Sequence, residues 1–266
     1  MSTAVLQVDG LTKAFGGVAA VSDVSLQVGE TTLHGLIGPN GAGKSTLLAL
    51  VSGFHRPDAG TVRLAGADVT GRAAAALSRA GLARTFQAAT PFPGLTVLEN
   101  VLVGFHGSGR AGLVGSIFRP PAVRREERDL RERAIRLLEQ VGLADSAHVD
   151  AGSLSFGQLR LLEVARALAT SPRLLLLDEP AAGLNAVEST RLAALLRTIR
   201  ESGTAVLVID HDVPFLFGLC EEVLVMDAGR VIASGSPASV ADDPAVRAAY
   251  LSVDAKTEPA DQGRPA

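Results

Sequence analysis

Residues 38–45 read Gly38-Pro39-Asn40-Gly41-Ala42-Gly43-Lys44-Ser45, and they constrain the fold more than any other run in the chain. They fit G-x-x-x-x-G-K-[ST], a loop that cradles phosphate. Its glycines let backbone N–H groups close around phosphate oxygens where a Cβ would obstruct them. Lys44 is long enough to reach the β- and γ-phosphates of a nucleotide, and the Ser45 hydroxyl can ligate Mg2+. The flanks agree. Leu33-His34-Gly35-Leu36-Ile37 reads as a short buried strand. Thr46-Leu47-Leu48-Ala49-Leu50-Val51 continues as an apolar helix that stops near Gly53, with Pro57 beyond. In strand–loop–helix order, the helix N-terminus turns its partial positive charge toward the phosphates.

Composition narrows the surroundings of this loop. The chain has 266 residues, 47% hydrophobic, with a net charge of −3, which describes an ordinary globular core and not a nucleic-acid-coating protein. Its one cysteine, Cys220, excludes an internal disulfide framework and fits a reducing compartment. The first residues carry no basic-then-apolar pattern, so no signal peptide is expected. No apolar run approaches the roughly 20 residues of a membrane helix. The expectation is a cytosolic or peripheral protein whose membrane role, if it has one, comes through a partner.

Alternating Val5-Leu6-Gln7-Val8 and Val24-Ser25-Leu26-Gln27-Val28 predict strands, with a loop over residues 11–17 between them. Phe15 on that loop is a candidate for stacking on a purine base, or else plain core. Residues 61–65 predict a further strand, and residues 81–87 another that ends at Gln87, where an amide can touch Mg2+ or the attacking water. From about residue 88 to 170 the pattern becomes helical. Thr96 and Glu99 make a capping box, a Gly- and Pro-rich stretch follows, and residues 123–141 form a charged amphipathic helix. Its six arginines are interleaved with acids, which reads as a solvated face and not as a nucleic-acid surface.

Leu154-Ser155-Phe156-Gly157-Gln158-Leu159 has its own local logic. Ser155 as N-cap with Gln158 three residues on makes a second capping box, so a helix begins here with N–H groups available to an anion. Leu174-Leu175-Leu176-Leu177-Asp178-Glu179 predicts a central parallel strand buried on both faces, with two carboxylates at its C-terminal end. Asp178 suits the Mg2+ shell, and Glu179 suits a general base that orients water. A helix over residues 186–200 should turn Leu192, Leu195, Leu196 and Ile199 inward. Residues 204–210 form another buried strand, capped by His211, which should share a sheet edge with Glu179. Residues 222–233 predict a hairpin, and residues 237–251 one or two short helices. The tail, residues 252–266, is polar and expected to be disordered.

Together these residues resemble the ATP-binding subunit of ABC transporters over nearly the whole chain. The resemblance rests on the phosphate loop, Gln87 as Q-loop, residues 154–158 as signature, residues 174–178 with Glu179 as Walker B, residues 181–185 as D-loop, and His211 as switch. Phe156 departs from the usual LSGGQ signature, and Asn185 stands where Asp is usual. Both departures, with the ending Asp243-Pro244-Ala245-Val246-Arg247-Ala248-Ala249-Tyr250-Leu251, look like the subgroup serving branched-chain amino acid uptake.

The resemblance implies an α/β fold. It has a P-loop NTPase core with a mixed central sheet, an N-terminal antiparallel β-subdomain and an inserted α-helical subdomain, all within one domain of residues 1–251. It implies ATP and Mg2+ as cofactors. Phe15, Gly38, Pro39, Asn40, Gly41, Ala42, Gly43, Lys44, Ser45 and Thr46 would bind the nucleotide. Ser155, Phe156, Gly157 and Gln158 would bind the γ-phosphate of a partner subunit's ATP. Ser45, Gln87 and Asp178 would hold the metal, and Glu179, His211, Gln87 and Lys44 would act in hydrolysis. The implied partners are a second ATPase subunit, two transmembrane permease subunits and, indirectly, an external binding protein, with no nucleic acid. The implied place is the cytoplasmic face of a bacterial inner membrane. The same motifs would serve a urea or short-amide importer, or a soluble ABC ATPase. The latter usually carries two cassettes or a long coiled-coil insertion, absent here. A P-loop kinase would have no signature helix, and a non-catalytic cassette would be expected to lose Glu179 or Lys44.

Overall fold

A computed structural model describes residues 4–85, 90–105 and 121–257. Two sheets organise them. The first is antiparallel, in the order β2–β1–β4–β5, with β1 Ala4–Phe15, β2 Val18–Gly29, β4 Ala59–Leu64 and β5 Ala67–Asp68. Strand alternation buries Leu6 and Val8 of β1 and Val24, Leu26 and Val28 of β2. The loop expected over residues 11–17 is not a loop. β1 continues through it to Phe15, and the chain reverses only at Gly16 and Gly17, both at positive φ. Register shifts after Val8 and Leu11 interrupt the alternation. A bulge of this kind hides a strand from a pattern of strict period two.

The second sheet runs β10–β9–β3–β8–β7–β6. Its members are β3 Leu33–Ile37, β6 Leu82–Arg84, β7 Leu174–Asp178, β8 Ala205–Ile209, β9 Glu222–Asp227 and β10 Arg230–Gly235. All pair in parallel except β10, which folds back on β9 through Ala228 and Gly229. The sheet is therefore mixed.

The four leucines of β7 divide between two cores by alternation. Leu174 and Leu176 pack with Leu47, Leu48 and Val51 of α1 (Lys44–Val51) and with the β-subdomain residues Leu6 and Val8. Leu175 and Leu177 pack on the opposite side, with Leu192, Leu196 and Ile199 of α6 (Ala186–Glu201). That second core also holds the helical part of the chain, α3 (Val97–Gly104), α4 (Pro121–Gln140) and α5 (Phe156–Leu168), through Val101, Ala134, Leu138 and Ala165. These helices lie in sequence between β6 and β7, which are neighbours in the sheet. They are thus an enlarged crossover between adjacent parallel strands, and their packing is continuous with the sheet.

Two helices close the described chain, α8 (Pro237–Asp242) and α9 (Pro244–Thr257). The polar tail expected from residue 252 is helical as far as Thr257. Polarity alone does not end a helix, and neither Gly nor Pro stands between Pro244 and Pro259.

Candidate active site

β3 ends at Ile37 and α1 starts at Lys44. The loop between is forced into shape by what surrounds it. Gly38, Gly41 and Gly43 have φ of 153°, 82° and 97°. A Cβ at Gly38 would run into the Met226 carbonyl, and one at Gly43 into the Ala20 carbonyl. The loop is thus wedged between β2 and the turn after β9, and Gly229 N donates to Ala42 O at 3.0 Å. Lys44 is buried, and its Nζ donates to Gly38 O (2.6 Å) and Pro39 O (3.0 Å). Burial lowers its pKa, against the attraction of Glu179 and Asp178. A cavity of about 220 Å³ opens over Asn40, Gly41, Lys44, Ser45 and Thr46, with Glu179 on its wall. It is open to solvent and lined by the residues that the motif assigns to phosphate.

Asp178 closes β7. It is nearly buried and paired with Arg84, Nη2 to Oδ2 at 3.1 Å. Glu179 follows at φ 49°, a left-handed conformation that a non-glycine residue adopts at a penalty of about 1–2 kcal/mol. Its N–H crosses to Ile209 O at 2.7 Å, so the turn is pinned to β8. His211 lies just past β8, largely exposed, with Nδ1 3.8 Å from Glu179 Oε2 and 3.4 Å from Asp210 Oδ1. Sequence reasoning passed over Asp210, which is fully buried. It accepts from Ala181 N and Asp212 N, both at 3.0 Å, so one carboxylate ties the turn after Glu179 to the turn that carries His211. Burial raises its pKa, and those hydrogen bonds pull the other way. An acid immediately before the strand-end histidine was the available signal. Gln87 lies outside the described residues.

The N-terminus of α5 has the predicted cap. Ser155 Oγ accepts from Gln158 N (3.3 Å), and Gln158 Oε1 accepts from Ser155 N (3.0 Å). Phe156 is 49% exposed, with the Arg160 guanidinium 5.1 Å from its ring centre. Gly183, at φ 78°, passes so close to this ring that a Cβ would stand 2.9 Å from it. Asn185 caps α6, its Oδ1 accepting from Val187 N and Glu188 N at 3.0 Å each. A cavity of about 280 Å³ lies over Ser155, Gly157, Gln158, Leu184 and Glu188. It shares no lining residue with the phosphate-loop cavity.

The fold thus brings together the phosphate loop, Lys44 and Glu179, with His211 beside Glu179, and leaves Ser155 to Gln158 in a separate cavity. Phe15 lines neither. It stands at the end of β1, 44% exposed, edge-on to His55 at 5.3 Å. A larger cleft of about 480 Å³ lies elsewhere, walled by Phe54, Arg84, Val103, Glu163 and Arg166. Among the described residues no helix is long and apolar enough to cross a membrane.

Comparison with known proteins identifies the family. The family model described as ABC transporter matches residues 21–182. A second, described as branched-chain amino acid ATP-binding cassette transporter, matches residues 230–251. The chain is 42% identical over 252 residues to the high-affinity branched-chain amino acid transport ATP-binding protein BraF of Pseudomonas aeruginosa, covering 94% of this chain and 99% of that one. It is 39% identical, with the same coverage, to LivG of Salmonella typhimurium, described in the same words. Among solved structures it resembles an ATP-binding cassette of an ABC transporter in its ADP conformation, with a TM-score of 0.82 and 32% identity over 93% of this chain and 98% of that one. It also resembles a cassette solved as a dimer in a post-hydrolysis state with ADP and Pi, with a TM-score of 0.73 and 25% identity over 87% of this chain and 98% of that one. The chain therefore belongs to the ATP-binding cassettes of ABC transporters, on the branch of the branched-chain amino acid transport ATP-binding proteins.

Proposed function

We propose that this chain is the ATP-hydrolysing subunit of an importer for branched-chain amino acids, and that it works as a head-to-tail pair. The observation that carries the pairing is the separation of the two cavities. One holds a phosphate loop, Lys44 and Glu179. The other holds a helix N-terminus capped by Ser155, where N–H groups suit an anion. ATP seated on the first and reached by the second of another copy completes a site that neither has alone. The nucleotide then binds the closed pair more tightly than the open one, which lets it drive closure.

Within that site Lys44 leaves the carbonyls of Gly38 and Pro39 for the phosphates. Glu179, held by its pinned turn, takes the proton of the attacking water. His211 and Gln87 orient that water, and Phe15 offers an exposed ring to the base. The donors Ser45 and Asp178 are a hydroxyl and a carboxylate, hard oxygens in the small number Mg2+ takes from protein when phosphates and water fill its shell. The metal, when bound, offsets the charge that develops on the β- and γ-phosphates. Gln87 would add a third oxygen.

The amino acid substrate rests on the relatives' descriptions and on the match at residues 230–251. Two permease subunits and an external binding protein complete the assembly, with the cassettes peripheral on the cytoplasmic face. The test is Glu179→Gln. ATP binding should persist, and turnover should fall at least about a hundredfold, as expected for loss of a general base. Near-normal hydrolysis would remove Glu179 from that role. Uptake of labelled leucine into vesicles that contain the cassette and its permeases should depend on ATP, and uptake of urea instead would overturn the substrate.

A further inference from the structure

We infer that Arg84 is a positioning residue for Asp178, fixing how that carboxylate meets the divalent cation that accompanies the nucleotide. The inference rests on the assignment of Asp178 to the metal made above. Arg84 ends β6 and Asp178 ends β7, adjacent parallel strands in which Arg84 stands opposite Leu176. Both side chains are withdrawn from water, 11% and 12% exposed. One guanidinium nitrogen, Nη2, donates to Asp178 Oδ2 at 3.1 Å. The other, Nη1, donates to Ser52 Oγ at 2.9 Å. Ser52 is the C-cap of α1, the helix whose first residue is Lys44. The ring of Phe54 lies against the same guanidinium, 5.5 Å from Cζ.

A planar fork anchored at two points fixes the plane of the group it holds. Arg84 therefore ties the far end of the phosphate-loop helix to the carboxylate at the end of β7. The direction of Asp178's remaining lone pairs is then set relative to Ser45 at the other end of that helix. Lysine keeps the charge but cannot span both anchors, so it is not a conservative replacement here. Partners of this kind, behind a metal ligand, change metal affinity by about 10- to 100-fold when removed.

The test uses the full chain and reads metal binding separately from nucleotide binding. Binding of a fluorescent ATP analogue is measured in EDTA. Mn2+ is then titrated with ADP present and followed by its EPR signal, for Arg84→Lys, Arg84→Gln and Ser52→Ala. Affinity for the analogue in EDTA should stay within about twofold of wild type, because neither anchor is asked to touch phosphate. Half-saturation by Mn2+ should rise about tenfold in both Arg84 variants. It should rise about threefold in Ser52→Ala, the worth of one hydrogen bond. Unchanged Mn2+ binding in a folded Arg84→Gln would overturn the inference. So would tighter binding in Arg84→Gln with normal binding in Arg84→Lys, which would make Arg84 a bare charge. If the Arg84 variants do not fold, Ser52→Ala decides: a weakened Mn2+ site supports the inference, and a wild-type one overturns it. A wild-type chain that binds no analogue in EDTA would instead strike the nucleotide assignment itself.

Discussion

Asp210 and Cys220 are both buried and do opposite things with burial. Asp210 keeps two backbone N–H groups satisfied in the interior, at Ala181 and Asp212. Replacing it with Ala leaves both donors without their acceptor and should destabilise the chain by about 1–3 kcal/mol, read by chemical denaturation. Because the same carboxylate ties the turn after Glu179 to the turn that carries His211, hydrolysis should fall even at temperatures where the variant is fully folded. Unchanged turnover would reduce Asp210 to a packing role. Cys220 lies against β3 near Gly35, and burial pushes the pKa of its thiol up to about 12. The buried group stays the unreactive thiol at neutral pH. The folded protein should therefore resist a thiol reagent at pH 8 and react promptly once unfolded in guanidinium. Fast labelling of the native chain would contradict the burial. Lys44, Asp178 and Glu179 were picked out from the sequence because each sits within a short local motif, residues 38–45 for the first and 174–179 for the other two. Arg84 could not be, since its partner Asp178 is 94 residues away, and Asp210 was passed over although it precedes the strand-end histidine, because its tie to Ala181, 29 residues away, is made only by the fold.

β7 and α5 show how far a single element can be read. The leucine run of β7 betrays a strand buried on both faces, and all four side chains are fully buried. Leu176→Ala should then remove about 2–5 kcal/mol of stability, the usual range for a leucine lost from a core that cannot collapse. A smaller loss, measured by denaturant unfolding, would mean that the contact with α1 is loose. In α5 the capping box explains the helix start completely, without any ligand. Function there has to be separated from folding by a substitution that blocks the approach of a second molecule. Ser155→Arg should abolish hydrolysis and leave nucleotide binding to the monomer intact. Retained activity would leave the cap as the segment's whole role. β1 was read as a short strand followed by a loop because its bulge breaks the alternation on which strand recognition depends. The helix α9 was cut short because a polar composition was taken for a stop.

The described residues carry two separate cavities with no lining residue in common. No local pattern in the sequence encodes that separation. It follows from the crossover, which lies in sequence between β6 and β7 and sets the start of α5 against Glu188 at the start of α6. The antiparallel β-subdomain, the mixed sheet and the helical crossover were all foreseen as parts, while the continuity of the helical packing with the sheet emerges only from the assembled core. Dependence of hydrolysis on association tests the shared site. ATPase turnover per chain should be measured against protein concentration, with Mg2+ and the permease subunits supplied, beside sedimentation of Glu179→Gln with ATP. Shared catalysis predicts that turnover per chain climbs with concentration, and that the variant sediments as a dimer with ATP and as a monomer without it. Full turnover from a chain that remains monomeric at every concentration would contradict it.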